Sequence, residues 1–87
     1  MPQYLVELLD RRVQQELDRV QEPDYSRLAA APLRLEDDQR PPGCRTLRGL
    51  DGWRVRVGDW RVIYQIDDSR RLVTIVAVRR RREDTYR

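Results

Sequence analysis

The sequence of 87 residues contains no lysine, no histidine and no phenylalanine, and its only cysteine is Cys44. Without histidine, no serine or cysteine has an imidazole base, which excludes a hydrolytic triad. The acidic residues are scattered over predicted turns and helices, so with one cysteine they leave no ligand set for a zinc ion. We therefore expect neither a resident metal nor a cofactor.

Disulfides and long apolar runs are also missing. A lone cysteine cannot form an internal disulfide, which suits a reducing compartment. The N-terminal stretch MPQYLVELLDRR has neither the basic flank nor the long apolar run of a signal peptide. The longest apolar run lies within residues 72–78, which is too short to span a bilayer. From these absences we expect a cytoplasmic protein that does not engage a membrane.

All 18 basic residues are arginine, and their distribution is uneven. Residues 1–52 hold 8 arginines against 10 acidic residues, a net charge of −2, whereas residues 53–87 hold 10 arginines against 5, a net charge of +5. A basic C-terminal part predicts a polyanionic partner, with nucleic acid as the first candidate. A merely solvated arginine-rich surface is the alternative, which composition alone does not exclude.

Hydrophobic periodicity predicts an α+β fold, which we expect to occupy residues 1–87 as one domain. Apolar residues alternate over residues 3–8, as in a short strand. A helix is predicted from the N-cap residue Asp10, and a second helix from Asp24. Pro32 lies inside the second helix, where it removes a backbone donor, so we expect a kink or a break there.

The stretch GWRVRVGDWRVIY, residues 52–64, predicts a β-hairpin. Gly58-Asp59 is a two-residue loop that favours a type I′ or II′ turn, and such a turn pairs Val57 with Trp60. Alternation then separates two faces of the hairpin. The face that the helices should cover holds Trp53, Val55, Val57, Trp60, Val62, Tyr64 and Ile66. The other face holds Arg54, Arg56, Arg61 and Ile63.

The three arginines of the hairpin therefore cluster on the side opposite the helices. Arg56 and Arg61 stand directly opposite each other, and like charges in that position destabilise a sheet. No acid lies beside them on this face of the two strands. We interpret the cluster as an anion site; the alternative is that water or an acid from a helix or loop neutralises it.

A third strand of this sheet is predicted at residues 72–78, and the run Arg79–Arg82 continues from it. The register of this strand is open by one residue. Either Arg80 or Arg81 therefore faces the arginine cluster.

Two segments, RPPGCRTLRGLDGWRVRVGDWRVIYQIDD (residues 40–68) and VTIVAVRRRREDTYR (residues 73–87), resemble the RelE/ParE toxin superfamily of toxin–antitoxin systems, and more closely its RelE branch. The resemblance covers nearly the whole chain in element order. It implies a small, mostly antiparallel sheet with two N-terminal helices on one face and a concave basic site on the other. For the RelE branch it further implies an endonuclease that enters the ribosome, cuts mRNA in the decoding site and is inhibited by a cognate antitoxin.

The resemblance also assigns site residues by position. Arg61 matches the central arginine of the family site, and Tyr86 matches its C-terminal catalytic tyrosine. The remaining catalytic arginine falls at Arg80 or Arg81, and strand continuity favours Arg81. The predicted catalytic residues are Arg56, Arg61, Arg81 and Tyr86. The predicted RNA-binding residues are Arg54, Arg79, Arg80 and Arg82.

RNA cleavage needs no metal, because the ribose 2′-OH can attack the adjacent phosphate and leave a 2′,3′-cyclic phosphate and a free 5′-OH. Arginine stabilises charge on phosphate oxygens through its planar fork of donors and stays protonated. Tyr86 is the candidate general base, since positive charge lowers a tyrosine pKa from its ordinary value near ~10. Arg81 or a ribosomal group is the candidate acid. A ParE-like inhibitor of DNA gyrase, which binds its target and cuts no RNA, is the alternative function.

Overall fold

The structure is a computed structural model that describes residues 3–47 and 52–80. Two helices and one five-stranded sheet make up these residues, so the predicted α+β class is confirmed. In chain order the elements are β1 (Leu5–Leu8), α1 (Arg11–Asp18), α2 (Asp24–Asp37), β2 (Arg45–Thr46), β3 (Trp53–Val57), β4 (Trp60–Asp67) and β5 (Leu72–Arg80).

The strands lie in the order β1-β5-β4-β3-β2, so the first strand of the chain pairs with the last. The β1–β5 pair is parallel, with Leu5 opposite Leu72, and the other three pairs are antiparallel. The mostly antiparallel sheet expected from the sequence is therefore present. Strand β1 lies at the edge of the sheet beside β5. Both helices follow β1 in the chain, before the four strands that complete the sheet.

The β3–β4 hairpin has the predicted register, from Val57 opposite Trp60 to Trp53 opposite Tyr64. Gly58 has a φ of 61°, in the left-handed region, whereas Asp59 keeps a negative φ. This combination is that of a type II′ turn, in which only the first central residue needs a positive φ. The local turn chemistry thus fixes which side chains of the hairpin share a face.

Helix α1 begins as predicted, directly after Asp10. The Asp10 carboxylate accepts a hydrogen bond from the backbone N–H of Val13 at 3.3 Å, which is the usual contact of an N-cap side chain. Val13 is completely buried against the sheet. Cap and core contact together set where this short helix starts and which face it turns inward.

Helix α2 begins at Asp24 as predicted and runs through Pro32 without a break. Leu28 and Leu35, on either side of the proline, are 2% and 1% exposed. Their burial in the same core outweighs the one hydrogen bond that Pro32 cannot donate. After the helix, the side-chain amide of Gln39 donates to the carbonyls of Leu35 and Glu36 at 3.0 Å each, so two of the last helical carbonyls are satisfied.

The core lies between the helices and one face of the sheet. Its buried members are Val13, Val20, Leu28, Ala31, Leu35, Val55, Val62, Tyr64, Val73, Ile75 and Val78. Trp53, Val57, Trp60 and Ile66 are partly buried against them, so the predicted core face of the hairpin is confirmed. Tyr64 is fully enclosed and its hydroxyl donates to the Gln39 carbonyl at 2.9 Å; burial raises the pKa of this tyrosine. Among the described residues, neither helix has the length and hydrophobicity that crossing a bilayer requires.

Candidate functional site

The face of the sheet opposite the helices carries an arginine cluster, made of Arg45, Arg54, Arg56 and Arg61. Strand pairing places Arg45 opposite Arg54, and Arg56 opposite Arg61. Directly paired residues point to the same face of a sheet, so the three arginines predicted from the hairpin lie together. Arg45 is an addition that the sequence did not reveal, because the two-residue strand β2 is too short to show a period.

Gly43 and three of these arginines line a shallow pocket of about 240 Å³. Gly43 has a φ of 91°, a conformation that turns the chain into β2 and that a side chain would strain. Arg45 is exposed and Arg54 is half-buried, and neither forms an ion pair with an acid of the described residues. The pocket therefore presents positive charge to an anion from solution.

Arg61 is the central residue of this face. It lies opposite Arg56 on one side and opposite Arg79 on the other, so a row of arginines crosses β3, β4 and β5. Only 8% of Arg61 is exposed. A guanidinium held in place by burial is screened less by water and salt than a surface one, so it attracts a bound phosphate more strongly.

Arg79 belongs to the row by register, but its guanidinium turns to helix α1. Its Nη1 atom lies 2.6 Å from Oε2 of Glu16. The other oxygen of Glu16 accepts a hydrogen bond from the backbone N–H of Val78 at 3.2 Å. An acid of helix α1 thus neutralises Arg79.

Arg80 lies on the other side of the sheet. It pairs with Trp60 across the strands, and its guanidinium carbon lies 5.3 Å from the centre of the indole ring. The structure therefore does not bring Arg80 to the arginine cluster.

Both tryptophans are partly buried against the core, as predicted. The indole N–H of Trp60 donates to Asp24 at 3.1 Å, and the Arg40 guanidinium carbon lies 5.1 Å from the centre of the Trp53 ring.

Arg81, Arg82 and Tyr86 lie outside the described residues. Their assigned roles therefore stay predictions. Within residues 3–47 and 52–80, no group of three or more cysteine and acidic side chains is placed to hold a metal ion.

A second network of hydrogen bonds lies at the far end of the sheet, in the turn between β4 and β5. Asp68 accepts a hydrogen bond from the Tyr4 hydroxyl at 2.6 Å and pairs with Arg40 at 3.0 Å. These two contacts hold the pKa of Asp68 below its usual range. The hydrogen bond between Tyr4 and Asp68 also raises the pKa of Tyr4. The network fastens the turn to the start of the chain and to the segment after α2, so its role is structural.

Solved structures with a similar fold include toxin chains from toxin–antitoxin complexes. A chain of the archaeal RelE–RelB complex from Pyrococcus horikoshii OT3 is 26% identical, with 91% of this chain and 96% of that chain covered and a TM-score of 0.80. A chain of the RelBE2 complex from Mycobacterium tuberculosis is 21% identical, covers 93% and 94% of the two chains and has a TM-score of 0.79. A chain of the intact E. coli RelBE complex is 20% identical, with coverages of 88% and 95% and a TM-score of 0.74. No curated protein matches the chain in sequence.

The sequence profile of the ParE toxin family, described as the ParE toxin of the type II toxin-antitoxin system parDE, matches residues 6–85. This match covers most of the chain, and the shared fold of the RelE structures agrees with it. The predicted membership of the RelE/ParE superfamily is thus confirmed. The chain belongs to the ParE toxin family and is the toxin of a toxin–antitoxin system.

Proposed function

We propose that this toxin is a ribosome-dependent endoribonuclease that cuts mRNA in the decoding site without a metal. The observation that carries the proposal is the arginine cluster on the open face of the sheet, with its central member buried and its outer members lining a pocket. Phosphate is the ligand that a set of guanidinium forks fits best. The similarity to RelE structures supports the choice of RNA, and the complexes of those toxins with RelB support a cognate antitoxin as the inhibiting partner.

In this proposal Arg61 and Arg56 bind the phosphate that is cut. Charge builds up on the non-bridging oxygens of that phosphate as the 2′-oxygen attacks. Donors already fixed at this position stabilise the transition state without having to reorganise, and losing one of them typically costs roughly 100- to 1,000-fold in rate. Burial of Arg61 on a strand supplies the rigidity that such a donor needs.

The proton transfers fall to residues proposed from the family resemblance. Tyr86 takes the proton of the 2′-OH as the O2′–P bond forms, and the P–O5′ bond breaks. The departing 5′-oxygen takes a proton from Arg81 or from a ribosomal group. Products are a 2′,3′-cyclic phosphate and a free 5′-OH, so electrons and protons balance without a metal.

Arg54, Arg80 and Arg82 are proposed to hold the RNA on either side of the cut, whereas Arg79, which the sequence also assigned to RNA binding, is engaged by Glu16. Arg54 lies within the cluster, beside the pocket. Arg80 leaves the end of β5 on the side of the sheet away from the cluster, so it would reach a different stretch of the RNA. Arg82 is assigned by its place in the arginine run.

Primer extension on an mRNA in a purified translation system tests the proposal. The toxin is added with ribosomes and, in a matched reaction, without them. We expect cuts at decoding-site codons only when ribosomes are present. Cuts of equal strength on naked RNA would contradict the ribosome dependence, and no cuts in either reaction would refute the nuclease.

Inhibition of DNA gyrase is the second candidate function, and the observation that favours it is the match to the ParE toxin family. In that case the arginine cluster docks the toxin on its target and cuts nothing. A supercoiling assay run beside the primer extension separates the two. Blocked supercoiling with intact mRNA would establish gyrase as the target.

A further inference from the structure

The end of β5 extends beyond its neighbour β1. The parallel pairing stops with Leu8 opposite Ile75, and the last backbone contact is the N–H of Leu9 donating to the Ile75 carbonyl at 2.9 Å. Beyond this point, no strand of the described residues covers that edge of β5. The backbone N–H of Val78 faces the uncovered edge, and Glu16 of α1 accepts its hydrogen bond at 3.2 Å. One carboxylate oxygen thus takes the place of the acceptor that a neighbouring strand would supply.

The second oxygen of Glu16 holds the Arg79 guanidinium at 2.6 Å. The Glu16 side chain is 20% exposed and that of Arg79 is 38% exposed, so the pair is partly withdrawn from water. Charge-assisted contacts of this kind are stronger than those of a fully exposed pair. Arg79 also donates to the Val78 carbonyl at 3.2 Å, which keeps its guanidinium at the strand edge.

The position of Arg79 makes this contact significant for the arginine cluster. Arg79 stands opposite Arg61 in the row of arginines, so its side chain leaves the strand on the face of the cluster. Glu16 is the residue that draws its guanidinium away towards α1. Glu16 therefore determines whether the Arg79 guanidinium can bind a phosphate at the cluster.

We propose that Glu16 is a positioning residue of the arginine cluster, an inference that rests on the proposed RNA-binding function. Through Oε2 it holds Arg79 out of the cluster and so limits RNA affinity. Through Oε1 it fixes the backbone at the end of β5, the strand that the proposed catalytic residues Arg81 and Tyr86 follow in the sequence. The two oxygens have separate effects, which different substitutions can separate.

Binding of a fluorescent single-stranded oligouridine RNA to the full-length toxin, measured over a range of salt concentrations, tests the first effect. Glu16→Gln keeps a carbonyl for the Val78 N–H but loses the charge that holds Arg79. Releasing one arginine should tighten binding about 3- to 10-fold and steepen the slope of log K against log salt by ~0.7, the value for one more phosphate contact on a single strand. Glu7→Gln, at an exposed position of β1, changes the net charge equally and should leave the slope unchanged.

Substituting Arg79 gives an independent reading. In the native background Arg79→Gln should change the RNA affinity less than about 2-fold, because Glu16 already occupies this arginine. In the Glu16→Gln background the same substitution should abolish the gain. Glu16→Ala should also tighten binding but should slow cleavage of ribosome-bound mRNA at saturating toxin, because the Val78 N–H then has no acceptor from α1. Glu16→Gln should cleave at the native rate.

Several outcomes would overturn the inference. One is Glu16→Gln behaving like Glu7→Gln; another is Arg79→Gln weakening native binding as much as Arg54→Gln. A third is equal cleavage by the Ala and Gln variants of Glu16. Failure of the proposed function has a different signature, since the native toxin would then neither bind the oligouridine nor cut ribosome-bound mRNA.

Discussion

Arg54→Gln is the substitution that most cleanly measures the contribution of the arginine cluster. Arg54 is half-buried beside the pocket and forms no ion pair within the described residues, so its loss breaks no ion pair of the fold there. Glutamine keeps much of the side-chain volume and removes the charge together with the guanidinium donors. Arg70→Gln is the matched control, because Arg70 is exposed in the β4–β5 turn and has the same charge.

The expected magnitude follows from one lost phosphate contact. For a half-exposed arginine we take about 1 kcal/mol, which is about a 5-fold loss of RNA affinity at ~50 mM salt. The slope of log K against log salt should become shallower by ~0.7, so that at ~200 mM salt the loss should shrink to about 2-fold. Fluorescence anisotropy with single-stranded RNA measures both quantities. If Arg70→Gln lost as much affinity with the same change of slope, net charge rather than this face would bind the RNA, and the reasoning would be refuted.

Three further predictions concern stability, pH and toxicity. Tyr64→Phe leaves a buried carbonyl without its donor and should cost about 1–2 kcal/mol, or roughly 5–15 °C in Tm, whereas Tyr25→Phe should cost less than about 0.5 kcal/mol; equal values would contradict the buried hydrogen bond. The lowered pKa of Asp68 stabilises the fold above the unfolded value near ~3.9, and this contribution is lost as the pH falls through the lower folded value. Denaturant midpoints of the native protein should therefore fall more steeply on acidification than those of Asp68→Asn, and parallel curves would exclude this linkage. Arg61→Ala and Tyr86→Phe should each relieve growth arrest while circular dichroism shows the native fold, and full toxicity of both would show that neither residue acts.

The parts of the fold that the sequence predicted correctly depend on neighbouring residues. Gly58-Asp59 determines the hairpin register through its own backbone preference, and Asp10 marks a helix start because its side chain reaches the first turn. The parallel pairing of β1 with β5 joins distant parts of the chain, so no local pattern revealed it. Pro32 looked like an interruption because the sequence shows the missing donor but not the core packing on both sides of it.

The site was likewise predictable where it depends on a local sequence pattern. Strand alternation placed Arg54, Arg56 and Arg61 on one face, which the structure bears out. Alternation alone did not settle the side of Arg80, because a bulge between Ile63 and Tyr64 shifts the pairing of β4 with β5. The contact of Arg79 with Glu16 joins a helix to a strand end that is distant in sequence, so neither local sequence predicts it.

The central claim is that the arginine face promotes attack by a ribose 2′-OH on mRNA held in the ribosome. The most direct test is cleavage of ribosome-bound mRNA carrying a single 2′-deoxynucleotide on the 5′ side of the cut, compared with the all-ribose mRNA under single-turnover conditions. The account predicts that the deoxy substitution abolishes the cut at that position and that the all-ribose product ends in a 2′,3′-cyclic phosphate. Cleavage of the deoxy mRNA at the native rate would contradict it, because the attacking nucleophile would then have to be something other than the ribose hydroxyl.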